Sequence, residues 1–216
     1  MSKIDITLYG ILDPERSLGR DLAKLADAAV RGGCTVLQLR DKHGTTRQML
    51  SRASSIMAAI DGRVPFLIND RVDVAMAVGA DGVHVGQDDM PVENVRALMG
   101  GDAIIGLSIK TENDATSFAP DMLDYVCIGG VFDTQSKDNP TSIGISGWQD
   151  LAALCRGRMQ ANQPIGAIAG IDVARAVELT KAGADGVALI SALFMKSDVT
   201  QAARAFRSAI DEARKS

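Results

Sequence analysis

Histidine, cysteine and long apolar runs are scarce in this sequence, and each scarcity argues against a class of protein. The 216 residues include two histidines, His43 and His84, and three widely separated cysteines. Neither a zinc cluster nor a disulfide framework is therefore expected. No apolar run approaches the roughly 20 residues that cross a membrane, and the N-terminus has no run of signal-peptide length. We expect a protein of the reducing cytoplasm.

An excess of positive charge is also missing. Lys and Arg number 23 against 27 Asp and Glu, which gives a net charge of −4. This balance argues against a general role on nucleic acids or membrane surfaces, although a pocket for a small anion needs only a few cations. Hydrophobic residues make up 46% of the chain, as in ordinary globular proteins.

Short apolar runs alternate with amphipathic stretches along the whole chain. The runs predict strands at Ile6–Leu12, Thr35–Leu39, Phe66–Ile68, Gly82–Val85, Ile104–Leu107, Tyr125–Ile128, Ile165–Ile168 and Val187–Ile190. The amphipathic stretches predict helices at Leu18–Arg31, Thr46–Ile60, Arg71–Val78, Val92–Met99, Glu112–Phe118, Trp148–Arg156, Val173–Ala182 and Val199–Ala213. Strict alternation indicates parallel strands, and eight repeats favour a single closed (β/α)8 TIM barrel over residues 1–216, ahead of an open doubly wound sheet.

The pentapeptide Gly-Ala-Asp-Gly-Val occurs at 79–83 and again at 183–187. Each copy joins the end of a predicted helix to the start of a predicted strand. The repeat has two interpretations. It reflects either two similar half-barrels or a helix-to-strand connection that any barrel can use repeatedly.

The carboxyl ends of barrel strands carry the chemistry, so the residues that follow each strand are the candidates for a site. Gln38, Arg40 and Lys42 are spaced by two and face one side if the extended backbone continues. Arg40 and Lys42 would then form a clamp for an anion. Charges paired with Asp41 or with a neighbouring helix are the alternative.

Asp70 and Asp89 follow two strands that are consecutive along the chain. Neighbouring parallel strands lie about 4.8 Å apart, so these carboxylates are expected to converge. Two hard oxygen ligands suit Mg²⁺ that completes its coordination with water and substrate phosphate. His84 lies between Val83 and Val85 and is predicted to be a hydrogen-bonded interior histidine.

The opposite side of the barrel offers hydroxyl groups and glycines. Thr134, Gln135, Ser136 and Lys137 lie in the longest predicted loop, from Gly129 to Gly147, and suit phosphate capture as well as a plain surface loop. Gly170 and Ser191 follow the last two strands, where barrels often bind phosphate. The residues thus predict a diphosphate region with Mg²⁺ and a separate monophosphate region, with catalysis by charge stabilisation and positioning.

Six segments resemble the thiamine phosphate synthase family over nearly the whole chain. They are Leu-Gln-Leu-Arg-Asp-Lys at 37–42, Ile-Asn-Asp-Arg at 68–71, Gly-Ala-Asp-Gly-Val-His-Val-Gly-Gln-Asp-Asp at 79–89, Ile-Ile-Gly-Leu-Ser at 104–108, Val-Phe-Asp-Thr-Gln-Ser-Lys at 131–137 and Gly-Ala-Asp-Gly-Val-Ala-Leu-Ile-Ser at 183–191. The resemblance implies an enzyme that ionises a hydroxymethylpyrimidine diphosphate and captures the cation with the nitrogen of a thiazole phosphate. The products are thiamine phosphate and pyrophosphate.

The resemblance also implies a role for individual residues. Gln38, Leu39, Arg40, Asp41, Lys42 and Asn69 would hold the pyrimidine diphosphate, and Asp70 and Asp89 would bind Mg²⁺. Arg40, Lys42, Ser108 and Lys137 would carry the catalysis. Ser108 and Lys137 would touch the pyrimidine substrate or its diphosphate. Thr134 and Ser136, with Gly170, Ile190 and Ser191, would hold the thiazole phosphate, and Gln135 between them would also bind substrate. The partners are small molecules, with no nucleic acid and no membrane, and the family is usually oligomeric.

The chain departs from the family pattern on the thiazole side. Asp133 stands where the family usually has Pro, Ser136 where it often has Thr, and Ile109-Lys110 where it usually has Thr-His. Ala169 replaces the first glycine of a usual Gly-Gly, which is tolerable if its φ is negative and costly otherwise. Three alternatives follow. One is a related thiazole tautomerase, which Lys110 disfavours because that enzyme needs a histidine nearby. The others are a non-catalytic paralogue that binds thiamine precursors and another phosphate-binding barrel isomerase, which would need an acid-base pair without the Mg²⁺ set.

Overall fold

Eight parallel strands close into a barrel in chain order, as predicted. The computed structural model describes residues 3–133 and 142–215. The strands are β1 Leu8–Leu12, β2 Val36–Leu39, β3 Phe66–Asn69, β4 Gly82–Val85, β5 Ile104–Ile109, β6 Tyr125–Ile128, β7 Ile165–Ile168 and β8 Gly186–Leu189. Nearly all strand residues are buried, because helices cover the outside of the barrel and side chains fill its interior.

The helices match the amphipathic stretches with shifts at their ends. Within the described residues they are α1 Leu22–Arg31, α2 Thr46–Ile60, α3 Val72–Val78, α4 Val92–Met99, α5 Glu112–Ser117, α6 Gly144–Arg156, α7 Val173–Lys181, α8 Ser191–Phe194 and α9 Val199–Ala213. The predicted start of α1 at Leu18 is wrong. Leu18 and Gly19 have φ of 55° and 70°, a left-handed turn that cannot continue a helix, and Asp21 caps α1 instead.

Two other differences concern the rim of the barrel. The predicted loop from Gly129 to Gly147 ends earlier, because α6 already begins at Gly144. The four-residue helix α8 was not predicted. Strands β3 and β5 extend through Asn69 and Ile109, so that Asn69 and Ser108 belong to strands and not to loops.

At the amino end of the barrel one contact recurs at the start of every even-numbered strand. The side-chain oxygens of Thr35, Asp81, Asp124 and Asp185 accept hydrogen bonds from backbone N–H groups at the starts of β1, β3, β5 and β7, at 3.1, 2.7, 2.8 and 2.7 Å. The backbone N–H of each of these four residues donates back to the carbonyl of the same strand residue. This reciprocal pair satisfies polar groups that the barrel would otherwise bury unpaired.

The repeated pentapeptide is one form of this contact. Its first glycine, Gly79 or Gly183, has φ of 70° or 101° just after a helix. Its aspartate, Asp81 or Asp185, accepts the backbone N–H at the start of β3 or β7. A Cβ on its second glycine, Gly82 or Gly186, would lie 1.9 or 1.8 Å from a carbonyl oxygen of the neighbouring backbone. Because the contact occurs before four strands, the repeat reflects repeated use of one connection and not a duplication of two half-barrels.

The cysteines form no disulfide framework, as their small number predicts. The three cysteines are free and buried, and burial raises the pKa of the Cys34 and Cys127 thiols to about 12. Among the described residues, we find no helix with the length and apolar character needed to cross a membrane.

We expect Asp81→Ala to lower the free energy of unfolding by about 1–2 kcal/mol, because the N–H of Phe66 loses its acceptor. Asp81→Asn keeps an oxygen acceptor and should cost less than half as much. Urea unfolding measures both. Asp102→Ala, at an exposed aspartate just before β5, is the control and should change stability by under about 0.5 kcal/mol. Equal losses in the Ala and Asn variants of Asp81 would contradict the assigned hydrogen bond.

Candidate active site

The carboxyl ends of β2, β3, β4 and β5 bring most of the predicted site residues to one side of the rim. The four strands are neighbours in the barrel, and Asn69 of β3 pairs in register with His84 of β4. Arg40 and Lys42 follow β2, Asp70 follows β3, Asp89 follows β4, and Ser108 lies near the end of β5.

Lys42 and Asp70 form an ion pair across the ends of β2 and β3. Asp70 has φ of 60°, a left-handed conformation that aspartate tolerates better than most residues. Its backbone N–H donates to the carbonyl oxygen of His84 at 2.9 Å. The turn after β3 is therefore fastened to β4, and the Asp70 carboxylate is held at the rim.

Asp70 and Asp89 interact, as predicted from their positions after neighbouring strands. Burial raises the pKa of Asp70 above its ordinary value, Lys42 opposes that rise, and the nearby Asp89 adds to it. One Asp89 oxygen accepts the N–H of Gly86 at 2.7 Å, and one Asp70 oxygen contacts Lys42. The two carboxylates also contact each other. In residues 3–133 and 142–215, no group of three or more His, Cys, Asp and Glu forms a metal cage.

Arg40 and Asp41 each pair with another protein residue. Arg40 Nη1 donates to Asp13 Oδ2 at 2.6 Å, so Arg40 contacts a carboxylate next to β1. The buried Asp41 carboxylate accepts from Arg52 and from the N–H of Gly44 at 2.8 Å. In this structure Arg40 and Lys42 therefore do not share one anion, and Asp41 shapes the loop between β2 and α2.

Leu39 and Gln38 point to opposite sides of β2. Leu39 is fully buried in the outer core, so its backbone is the part that a ligand could contact. Gln38 is 1% exposed inside the barrel and donates from Nε2 to the hydroxyl of Tyr9. Gln38 and Leu39 thus alternate along β2, as successive residues of an extended strand do.

His84 belongs to the site region, although its sequence position indicated only an interior residue. Its Nε2 lies 2.9 Å from Ser108 Oγ, and its Nδ1 lies 2.9 Å from the Tyr125 hydroxyl. Burial lowers its pKa to about 4, with Asp89 opposing the shift. The imidazole is therefore neutral at physiological pH. The signal in the sequence was a polar residue at an inward-facing position directly before the rim.

On the opposite rim, the described candidate residues follow β7 and β8. Gly170 follows β7, and Ile190 and Ser191 follow the neighbouring β8, where Ser191 opens α8. Arg175 donates to the Gly170 carbonyl at 2.6 Å and lies over the Phe132 ring at 4.5 Å. The structure thus brings Gly170, Ile190 and Ser191 together, while the predicted residues Thr134, Gln135, Ser136 and Lys137 lie outside the described residues.

Ala169 has the conformation that makes its methyl group costly. Its φ is 93°, in the region that favours glycine, next to Gly170 with φ of 65°. The carbonyl of Ala169 accepts the N–H of Phe132 at 3.3 Å, which ties the loop after β7 to the loop after β6. The strain is therefore maintained by the packing of two rim loops.

Comparison with known proteins identifies the family of this chain. The profile of the family described as thiamine monophosphate synthase matches residues 8–193. The chain belongs to this family. Thiamine-phosphate synthase of Agrobacterium fabrum is 50% identical over all of this chain and 98% of its own. The Chloroflexus aurantiacus enzyme of the same name is 42% identical over 96% of this chain and 94% of its own.

A solved structure agrees with this membership. Thiamine phosphate pyrophosphorylase from Pyrococcus furiosus has a TM-score of 0.84 and 32% identity, and the match covers 98% of both chains. The predicted family, the barrel and an enzyme of thiamine biosynthesis are thereby confirmed.

For this member of the thiamine monophosphate synthase family, we expect Ala169→Gly to raise the free energy of unfolding by about 1 kcal/mol. The strain of a left-handed alanine, about 1–3 kcal/mol, exceeds the entropy of about 0.4–1 kcal/mol that glycine adds to the unfolded chain. Ala167→Gly, in the buried strand β7, is the matched control and should destabilise the protein. Loss of stability in both variants would contradict the strain at Ala169.

Asp70→Asn should become more stable relative to the original protein as pH rises from 4 to 7 in metal-free buffer. An acid whose pKa is raised by folding binds more protons in the folded state, so its ionisation costs stability as pH increases. Asp73→Asn is a control of opposite sign, because the hydrogen bond from Arg71 lowers the pKa of Asp73. Urea unfolding at several pH values measures both slopes. Equal slopes would contradict the assignment.

Proposed function

We propose that the chain condenses a hydroxymethylpyrimidine diphosphate with a thiazole phosphate. The bond between the pyrimidine methylene carbon and the diphosphate oxygen breaks, and pyrophosphate leaves with the electron pair. The thiazole nitrogen then donates its lone pair to the methylene carbon, which forms thiamine phosphate. Family membership supports this reaction, and the relatives' names state the product.

The observation that carries the proposal is the convergence of Lys42, Asp70 and Asp89 at the ends of three neighbouring strands. One lysine and two neighbouring carboxylates suit a diphosphate bound together with a hard cation. The rise in the pKa of Asp70 shows that burial and a like charge disfavour its ionised form, which a cation between Asp70 and Asp89 would relieve.

Mg²⁺ fits this donor set. Asp70 and Asp89 would each supply one oxygen, and diphosphate and water would supply the remaining oxygen ligands that Mg²⁺ prefers. When bound, the ion would supply charge that stabilises the leaving pyrophosphate. Lys42 would add a positive charge beside the diphosphate. Arg40 has five N–H donors, and its contact with Asp13 through Nη1 would orient it at the edge of the same region.

The remaining predicted residues divide between two substrates in this proposal. Gln38 with Asn69 and Ser108 would hold the pyrimidine diphosphate, together with the backbone of Leu39 and Asp41. Gly170, Ile190 and Ser191 would hold the thiazole phosphate. Lys137 would reach the diphosphate, and Thr134, Gln135 and Ser136 would join the thiazole phosphate site. Water exclusion between the two halves would protect the pyrimidine cation from hydrolysis.

The direct test incubates the protein with both substrates and Mg²⁺ and measures pyrophosphate and thiamine phosphate. We expect equal amounts of the two products, and loss of both when EDTA removes the metal. Absence of thiamine phosphate with both substrates bound would contradict the proposed reaction.

Asp89→Asn tests the metal site in the same assay. The asparagine oxygen can still accept the Gly86 N–H, so the fold should persist while the negative charge is lost. We expect kcat to fall at least about 100-fold, the scale of lost electrostatic stabilisation. Asp88→Asn, at the exposed neighbouring aspartate, should retain activity within about twofold. Full activity of Asp89→Asn at all Mg²⁺ concentrations would rule out this ligand.

A further inference from the structure

Five polar side chains form an unbroken line of hydrogen bonds through the barrel interior, from β2 to β5. Gln38 Nε2 donates to the Tyr9 hydroxyl, which lies 2.9 Å from the Tyr125 hydroxyl. The Tyr125 hydroxyl lies 2.9 Å from His84 Nδ1, and His84 Nε2 lies 2.9 Å from Ser108 Oγ. Both ends of the line are residues that we assign to the pyrimidine diphosphate.

A glycine in β5 leaves the space that this line of side chains needs. Tyr125 lies on β6 and His84 on β4, so the phenol must cross β5 to reach the imidazole. It does so at Gly106, where a Cβ would lie 2.1 Å from Cζ and 2.4 Å from the hydroxyl oxygen of Tyr125. The two rings stand 5.5 Å apart, and Tyr9 completes the cluster 5.9 Å from Tyr125. Any side chain at position 106 would displace the phenol and break the line.

The donors have one consistent direction. Gln38 donates to Tyr9, so the Tyr9 hydrogen is available for Tyr125, and the Tyr125 hydrogen is available for His84 Nδ1. A neutral imidazole that accepts at Nδ1 carries its proton on Nε2 and donates to Ser108. The Ser108 hydrogen then remains for a ligand. The opposite direction would require the Gln38 amide to turn its oxygen toward Tyr9.

We propose that this line is a positioning device in which Tyr9, Tyr125 and His84 fix Gln38 as an acceptor and Ser108 as a donor toward the pyrimidine substrate. The inference rests on the proposed function for the identity of that substrate. An aminopyrimidine diphosphate fits the two ends, because its amino N–H groups need an acceptor and its diphosphate oxygens need donors. Tyr9, Tyr125 and His84 would act through Gln38 and Ser108, not by contact with the reacting atoms.

The direction of the line can be read without any substrate. The chain has two histidines, so ¹⁵N-histidine labelling gives two imidazole signal sets, and His43→Gln assigns them. We expect His84 to be neutral with its proton on Nε2. A proton on Nδ1 in the unmodified protein would overturn the proposal, whether or not the protein makes thiamine phosphate.

Two tyrosine variants test the Gln38 end and the Ser108 end of the line independently. Tyr125→Phe removes the donor to His84, so signals of both tautomers should appear. Tyr9→Phe releases Gln38 but keeps the Tyr125 donor, so His84 should stay protonated on Nε2. Each variant should raise the KM for the pyrimidine diphosphate about tenfold, as expected for one lost buried hydrogen bond. The KM for the thiazole phosphate should change less than twofold in both.

The outcomes distinguish this inference from the proposed function. Correct tautomers with no synthesis of thiamine phosphate would leave the hydrogen-bond direction intact and overturn the reaction. Synthesis with an unchanged KM for the pyrimidine diphosphate in both tyrosine variants would overturn the positioning role alone. If Tyr125→Phe fails to fold, Tyr9→Phe and the spectrum of the unmodified protein still decide. His43→Gln, at an exposed rim histidine, should keep both KM values within twofold.

Discussion

The backbone hydrogen bond from Asp70 to the carbonyl of His84 joins the rim of the barrel to its interior. Because of this bond, the turn after β3 takes its position from β4, and the Asp70 carboxylate meets Lys42 and Asp89. The side chain of the same histidine runs inward and contacts Ser108 and Tyr125. Strand β4 therefore orients charged groups above it and neutral polar groups within it, and a shift of β4 would disturb both.

The two ends of the barrel serve different purposes. At the amino end, Thr35, Asp81, Asp124 and Asp185 pair with strand starts, and these reciprocal bonds satisfy the buried backbone. At the carboxyl end, burial disfavours ionisation of Asp70, and Ala169 holds a strained φ. Such costs persist only where the surrounding structure is rigid enough to maintain them. We infer that the hydrogen-bonded amino end contributes that rigidity, while the carboxyl end carries the residues that we propose to bind ligands.

The sequence predicted what depends on local periodicity. Alternating apolar runs were sufficient for the strands, and the acids after β3 and β4 were sufficient for the convergence of Asp70 and Asp89. Contacts between distant residues could not be predicted in the same way. Arg40 pairs with Asp13, 27 residues away, and Tyr125 reaches His84 across β5 through the space at Gly106. The conformation of Ala169 also depends on its contact with Phe132, which no local pattern reveals.

Charge and polarity are separated in this barrel, and that separation would suit the highly charged substrates that we propose. Lys42, Asp70 and Asp89 lie at the rim, where water can solvate charged groups and Lys42 pairs with Asp70. Inside, burial lowers the pKa of His84 to about 4 and raises the pKa of Tyr9 and Tyr125, so every member of the interior line is neutral. In the proposed reaction, arrival of a diphosphate with a cation would change the field above the line without moving its protons. A fixed proton pattern would let Gln38 and Ser108 present the same acceptor and the same donor before and after the ligand binds.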